Sequence, residues 1–153
     1  MASIEKNIEV NAPLTAVYNQ WTQFEEFPRF MDGVRAVTQM GDDRVHWAAE
    51  IAGKEEEWDA RITEQTPDQC IAWCSEDGAQ NAGVVKFQRA GDNVTNVMLR
   101  IDYDPEGFVE SAGDALGFVG RRVEGDLKRF KEFIEERGRA TGGWRGTIDR
   151  KAG

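Results

Sequence analysis

The stretch that decides the fold is SAGDALGFVGRRVEGDLKRFKEFIEE, residues 111–136. Its apolar residues recur at steps of three and four, and they are Leu116, Val119, Val123, Leu127, Phe130 and Ile134. This spacing places one apolar stripe along an α-helix, with charged residues on the remaining faces. Because a single amphipathic helix is not stable alone, another part of the chain must cover the stripe.

Three glycines interrupt the first half of this helix, at Gly113, Gly117 and Gly120. Each costs about 1 kcal/mol of helix stability relative to alanine, so the missing side-chain volume calls for an explanation. One interpretation is a space beside the helix that residues from elsewhere line. The other is a bent or frayed start of the helix, and the sequence leaves both open.

The residues before the helix have the two-residue period of β-strands. From Gly33 to Tyr103, apolar and polar residues alternate, and turn signals such as Thr66-Pro67-Asp68 interrupt them. Consecutive strands joined by short turns indicate an antiparallel meander with one face in solvent. Residues 3–10 alternate in the same way and predict a first strand.

Two short helices are predicted between the first strand and the meander. Pro13 suits the start of one helix, and Thr22 with Glu25 predicts a capping box for a second over residues 23–30. The predicted fold class is therefore α+β. A curved antiparallel sheet of about seven strands wraps around a long C-terminal helix, with two short helices after the first strand.

Composition bounds the partners. The 153 residues favour one domain, and the formal net charge of −9 argues against binding nucleic acid or an anionic membrane surface. We expect no stable membrane insertion, because no stretch approaches the roughly 20 apolar residues of a transmembrane helix. The N-terminus lacks the pattern of a signal peptide.

The cysteines indicate the compartment. Cys70 and Cys74 fall in one predicted strand, where four residues span about 13 Å, and a disulfide needs Cα atoms within about 7 Å. A reduced, cytoplasmic protein is expected.

The order of several short motifs resembles a known family. The motifs are IEVNAP (8–13), WTQFEEFPRFM (21–31), EWDARI (57–62), IAW (71–73), GVVKF (83–87) and TNVMLRIDYDP (95–105). Together they resemble the bacterial polyketide cyclase/dehydrase and lipid-transport group of the SRPBCC superfamily, which includes START and birch-pollen-allergen-like proteins. They are also similar to the ubiquinone-binding branch, and the resemblance covers residues 2–137.

This resemblance implies a helix-grip fold with a hydrophobic cavity between the sheet and the long helix. It also implies functions that range from passive carriage of lipids or quinones to aromatase/cyclase chemistry, and fold alone does not choose among them. We expect one helix-grip domain over residues 2–138, ended by Gly138 as a helix C-cap. A basic tail, residues 139–153, has no periodicity and is expected to be flexible.

The candidate ligand-binding residues share the inward parity of their strands or come from the helices that cover the sheet. They are Phe27, Phe30, Trp47, Trp58, Trp73, Phe87, Thr95, Leu99, Tyr103, Leu116 and Val119. Any one of these side chains could instead be ordinary core, since a sheet covered by one helix needs large residues to fill its interior. Thr95 and Tyr103 supply the inward-facing hydroxyl groups.

No catalytic constellation is visible, so the catalytic residues are unknown. His46, the one histidine, alternates with Val45 and Trp47 and is predicted on the solvent face. An acidic cluster lies around one hairpin, and its members Glu50, Glu55, Glu57 and Asp59 share the solvent-facing parity. One histidine and two cysteines make no usual zinc set, and no phosphate-binding loop is present, so no metal and no cofactor are expected.

Three functions remain open. The first is binding or carriage of a small hydrophobic ligand, such as a lipid, a quinone or a polyketide-like molecule, in the cavity. The second is a cyclase/dehydratase-type enzyme acting on a polyketide-like substrate there, with Tyr103 and Thr95 as polar participants. The third is an interaction protein, in which Phe24, Phe27, Phe30 and Met31 form an exposed patch and the basic tail around Trp144 acts as a tether. The sequence does not determine the oligomeric state, the ligand or the role of the tail.

Overall fold

The computed structural model describes residues 2–31, 33–41, 43–51, 54–78, 81–103 and 115–149. The strands are β1 (Ala2–Val10), β2 (Val34–Gln39), β3 (Arg44–Ile51), β4 (Lys54–Thr66), β5 (Cys70–Gly78), β6 (Asn81–Gly91), β7 (Val94–Tyr103) and β8 (Ile148–Asp149). The helices are α1 (Leu14–Trp21), a 3₁₀ helix (Phe24–Arg29) and α2 (Ala115–Arg137).

One curled antiparallel sheet has the strand order β1-β7-β6-β5-β4-β3-β2. The meander places sequence neighbours side by side, and β1 joins it through β7 at the far edge. α2 packs across the inner face, so the predicted α+β helix-grip architecture is confirmed. The short β8, which the sequence did not predict, lies off this path and pairs with β4.

The stripe on α2 meets the sheet as expected. Val123, Leu127, Phe130 and Ile134 are each at most 3% exposed. Residues 111–114 lie outside the described part of the chain, and so do the side chains of Leu116 and Val119, whose backbone is helical. Gly138 ends α2 with φ +73°, and its N–H donates to the Ile134 carbonyl over 2.9 Å.

Gly120 lies against β1. A Cβ there would be 3.7 Å from Ile4 Cδ1 and 3.8 Å from Lys6 Cε, which is ordinary van der Waals contact. α2 therefore packs closely against β1 at Gly120, and an alanine would also fit at this position. Gly117 has helical backbone, and Gly113 lies outside the described residues.

The two predicted short helices are present, but the capping box between them does not form. Thr22 Oγ1 donates to the Asn19 carbonyl over 2.6 Å and accepts the Trp144 N–H over 3.0 Å, so it is committed elsewhere. The aromatic patch expected in the third hypothesis is also not at the surface. Phe24, Phe27 and Phe30 are 6%, 2% and 2% exposed, because they pack edge-on against one another under α2.

The chain after Gly138 follows the outside of α1 and then reaches β4. Thr141, Trp144 and Arg145 hydrogen-bond to side chains of the α1 end, and Ile148 pairs with Gln65 of β4. The flexibility expected for residues 139–153 stays a prediction, and these contacts argue against it for the part up to Asp149.

Candidate functional site

A cavity of about 160 Å³ lies between the inner face of the sheet and α2. An engineered cavity of about 150 Å³ in another protein stays dry and binds benzene. The cavity therefore has room for one aromatic ring or an apolar group of similar size. Its aromatic lining consists of Trp21, Phe24, Phe27, Trp47, Trp58, Trp73 and Tyr103.

Two tryptophans form a parallel pair on one wall. Trp47 and Trp58 are directly opposite each other across β3 and β4. Their ring centroids are 5.8 Å apart and the planes differ by 9°, an offset stack. Phe27 of the 3₁₀ helix lies 5.4 Å from the Trp47 ring and extends this wall toward α2.

A third tryptophan depends on a glycine. Trp73 of β5 pairs with Gly83 of β6, and its indole lies directly over the glycine backbone. A Cβ at Gly83 would be 2.3 Å from Trp73 Cζ2, which is closer than carbon atoms approach without bonding. Only glycine at this position lets the indole lie across β6. The alternation of the sequence predicts the inward direction of Trp73, but not its need for Gly83.

Two neighbouring polar side chains border the cavity, where β6 begins and β7 ends. Asn81 and Tyr103 are opposite each other across β6 and β7, and they are 6% and 2% exposed. Both line the cavity. Sequence reasoning missed Asn81, although it has the same parity along β6 as the buried Val85 and Phe87. That parity would have found it had the strand been extended toward residue 81.

Two charged residues of α2 also border the cavity. Arg122 lines the cavity, and its Nη1 donates to the Glu50 carbonyl over 3.2 Å. A Cβ at Gly33 would be only 2.4 Å from Arg122 Nη1. Gly33 also has φ +82°, a backbone conformation that favours glycine. One turn later, Asp126 lines the cavity too, and Arg129 Nη2 donates to its Oδ1 over 2.6 Å. The Arg122 hydrogen bond therefore ties α2 to the end of β3, beside Gly33.

The structure brings six of the predicted site residues to the cavity wall: Phe27, Trp47, Trp58, Trp73, Leu99 and Tyr103. Phe30, Phe87 and Thr95 lie in the filled part of the core instead. The Phe30 ring is 5.3 Å from Phe130, and the Phe87 ring is 5.3 Å from Tyr18. Thr95 Oγ1, fully buried, donates to the Ala12 carbonyl over 2.9 Å.

The remaining two predicted residues, Leu116 and Val119, have side chains outside the described part of the structure. Whether each predicted residue contacts a ligand stays a prediction. What the structure supplies is their relative placement around one apolar space.

The amino-acid sequence also matches a known protein family. Residues 10–132 match the family described as polyketide cyclase / dehydrase and lipid transport. The chain belongs to this family. A 17.2 kDa protein of Streptomyces lincolnensis is 52% identical over 149 residues, which cover 97% of this chain and 99% of that protein.

Two solved structures illustrate the similarity of the fold. A START superfamily protein from Mycobacterium smegmatis has a TM-score of 0.77 at 14% identity, over 88% of this chain and 98% of that one. The Zhui aromatase/cyclase from Streptomyces sp. R1128 has a TM-score of 0.74 at 20% identity, over 94% and 99% of the two chains. At these identities the likeness concerns the fold alone.

The outer face of the sheet in this family member carries the histidine. His46 Nδ1 lies 2.6 Å from Asp59 Oδ1, and Nε2 lies 3.0 Å from Glu57 Oε1. These hydrogen bonds, first to Asp59 and then to Glu57, raise the pKa of His46 above its ordinary value. The prediction of a solvent-facing histidine is confirmed, so His46 takes no part in the cavity.

Glu50 and Glu55 of the acidic hairpin also face solvent. Arg35 of β2 bridges Glu50 and Glu55 with N–O distances of 3.2 and 2.7 Å. Within the described ranges, no group of three or more His, Cys, Asp or Glu side chains is placed to hold a metal ion. None of the described helices combines the length and the hydropathy needed to cross a membrane.

Proposed function

We propose that this protein binds a small apolar molecule in the cavity and carries it without transforming it. The observation that supports the proposal is the chemistry of the wall. Among the described residues, most of the side chains that line the space are aromatic or aliphatic, and the polar ones are those of Asn81, Tyr103, Arg122 and Asp126. Such an arrangement binds an apolar body and orients a polar end by hydrogen bonds.

The volume of the cavity limits the size of the ligand that it can hold. About 160 Å³ accommodates one ring or a short apolar chain, and the pockets of drug-sized ligands have roughly 300–1,000 Å³. A whole lipid, quinone or polyketide is therefore larger than this cavity. A ligand with one ring-sized apolar group inside the cavity and its remainder outside is the best fit.

The two neighbouring alanines of β3 provide the test. Ala49 is 2% exposed and lines the cavity, whereas Ala48, on the opposite face, does not line it. We expect Ala49→Leu to lower the affinity for benzene at least about tenfold, because the added side chain occupies the space. Ala48→Leu is the matched control and should bind benzene like the wild type. Equal calorimetric affinities of both variants would refute the proposal.

The natural ligand is then sought by incubation with bacterial lipid extract, followed by mass spectrometry of what remains bound. The wild type and Ala48→Leu should retain the same apolar species. Ala49→Leu should retain less of it.

A cyclase/dehydratase-type enzyme is the second candidate. Tyr103 and Asn81 are adjacent polar groups that face an apolar space, and relatives of this fold include proteins named aromatase/cyclase. Thr95, the other hydroxyl expected to take part, is committed to the Ala12 carbonyl and lies outside the lining. If Tyr103→Phe leaves the turnover of a polyketide-like substrate unchanged, the catalytic role of Tyr103 is excluded.

We also propose a cytoplasmic location. Cys70 and Cys74 are free thiols, and Cys74 is exposed, which suits a reducing compartment. Cell fractionation with a periplasmic and a cytoplasmic marker enzyme tests this proposal.

A further inference from the structure

Trp21 is the cavity residue that belongs to α1. It lines the cavity and is 2% exposed. Its ring meets those of Phe27, Phe87 and Phe130 edge-on at centroid distances of 5.7, 6.2 and 4.8 Å. The position of Trp21 therefore sets how much space remains on this side of the cavity.

The chain after α2 holds the residue just before Trp21. Gln20 is fully buried, and its amide forms two hydrogen bonds with Thr141. The Thr141 N–H donates to Gln20 Oε1 over 2.8 Å, and Gln20 Nε2 donates to Thr141 Oγ1 over 3.1 Å. Because a buried amide without partners is costly, this pairing favours one position of the helix end.

The same segment holds the residues on either side. Trp144 donates its N–H to Thr22 Oγ1 over 3.0 Å. Arg145 donates from Nη1 to Asn19 Oδ1 over 2.7 Å and from Nη2 to Asp68 Oδ2 over 2.8 Å. A guanidinium with two fixed acceptors joins the α1 end to the turn between β4 and β5.

Glycines let the segment lie directly on α1. A Cβ at Gly142 would be 2.8 Å from Gln23 Oε1, and a Cβ at Gly143 would be 2.7 Å from Asn19 Cγ. At Gly143 a side chain would collide with Asn19 close to its backbone, whereas at Gly142 the nearest atoms belong to the flexible end of Gln23. Side chains at 19, 20, 22 and 23, all the near neighbours of Trp21, thus contact residues 141–145.

β8 anchors the far end of the segment. Ile148 pairs with Gln65, and Asp149 pairs with Glu64. Both partners lie in the part of β4 that extends past β3, whose pairing with β4 ends at Arg61. This pairing covers a strand edge that would otherwise be open. The segment is therefore fixed at both ends, at α1 and at the sheet.

We propose that residues 141–149, here named the C-terminal strap, position Trp21 and thereby set the size selectivity of the cavity. The strap contacts no ligand itself and acts through the end of α1. The part of this proposal that concerns size selectivity rests on the proposed function, the binding of an apolar ligand in the cavity. The positioning of α1 is independent of any ligand.

The experiment compares the wild type with Arg145→Met, which keeps side-chain bulk but removes the hydrogen bond to Asn19 and the ion-paired hydrogen bond to Asp68. Gly143→Val is a second variant that displaces the strap by collision with Asn19. Thr147→Val, at an exposed strap position, is the control. Hydrogen exchange of the amides of residues 19–23 is measured by mass spectrometry, and affinities for benzene and naphthalene are measured by calorimetry.

Both strap variants should exchange faster over residues 19–23 and raise the naphthalene-to-benzene affinity ratio by about three- to tenfold. The control should match the wild type. Unchanged exchange overturns the proposal, and so does faster exchange with an unchanged ratio, since the strap would then only stabilise the fold. If neither hydrocarbon binds the wild type, the proposed function fails, and the exchange rates alone decide whether the strap positions α1.

Discussion

Replacing Gly83 by alanine tests the cavity wall directly. The added Cβ would be 2.3, 2.7 and 2.8 Å from Cζ2, Cε2 and Cη2 of Trp73. Nonbonded carbon atoms prefer about 3.5 Å or more, so the nearest ring atom must move by about 1.2 Å. The backbone of β6 has little freedom to yield, because β5 and β7 hold it on both sides. The indole of Trp73 must therefore move toward the cavity.

Overpacking of this kind costs about 1–3 kcal/mol. For a domain of this size, that corresponds to a fall in Tm of roughly 3–10 °C. The displaced indole also takes volume from a cavity of about 160 Å³, so benzene affinity should fall with stability. Thermal unfolding followed by circular dichroism gives the first quantity, and calorimetric titration gives the second.

Two controls isolate the contact. Gly91 lies on the same strand, and a Cβ there would be 3.7 Å from Val94, so Gly91→Ala should change Tm little. Adding Trp73→Leu to Gly83→Ala should recover part of the stability lost by the single glycine change, because the collision partner is gone. A Gly83→Ala protein with the Tm and benzene affinity of the wild type would refute this description of the wall.

Three further predictions follow from contacts away from the cavity. Thr95→Val leaves the buried Ala12 carbonyl without its donor, so it should lower the free energy of unfolding in urea by about 1–3 kcal/mol while benzene affinity stays unchanged. His46 should titrate in NMR above its ordinary pKa of about 6.5, and Asp59→Asn should lower the pKa of His46. The stability contributed by the His46–Asp59 pair should be complete below the pKa of His46 in the unfolded chain, and should be lost as pH rises through its pKa in the folded protein. Leu127→Ala removes a side chain that is 2% exposed at the centre of the α2 stripe, and should cost about 2–5 kcal/mol in the same urea assay, whereas a loss below 1 kcal/mol would contradict its place in the core.

The spacing of apolar residues in the sequence predicted most of the fold. The steps of three and four in α2 predicted the burial of Leu127, Phe130 and Ile134, and the alternation along β3 predicted that His46 faces solvent. Helix and strand geometry fix these directions locally, so no distant contact is needed to infer them. The capping box at Thr22 failed for the opposite reason. Its hydroxyl is taken by Trp144, far along the chain.

Periodicity could not separate the lining of a cavity from the filling of a core. Phe87 and Trp73 have the same inward direction, yet Phe87 packs against Tyr18, whereas Trp73 borders empty space. Thr95 and Tyr103 likewise face inward from one strand, and only Tyr103 reaches the cavity. The outcome depends on how far the opposing element stands from the sheet at each point.

The sequence by itself determined the fold class, the inward face of each strand and the apolar stripe of α2, because each of these follows from local backbone geometry. The tertiary structure decided the rest: the space beside Trp47 and Trp58, the glycine under Trp73, and the strap that holds Gln20 and Thr22. Those features join residues far apart in the chain. Their existence depends on the distances at which sheet, helix and strap come together, which no local pattern encodes.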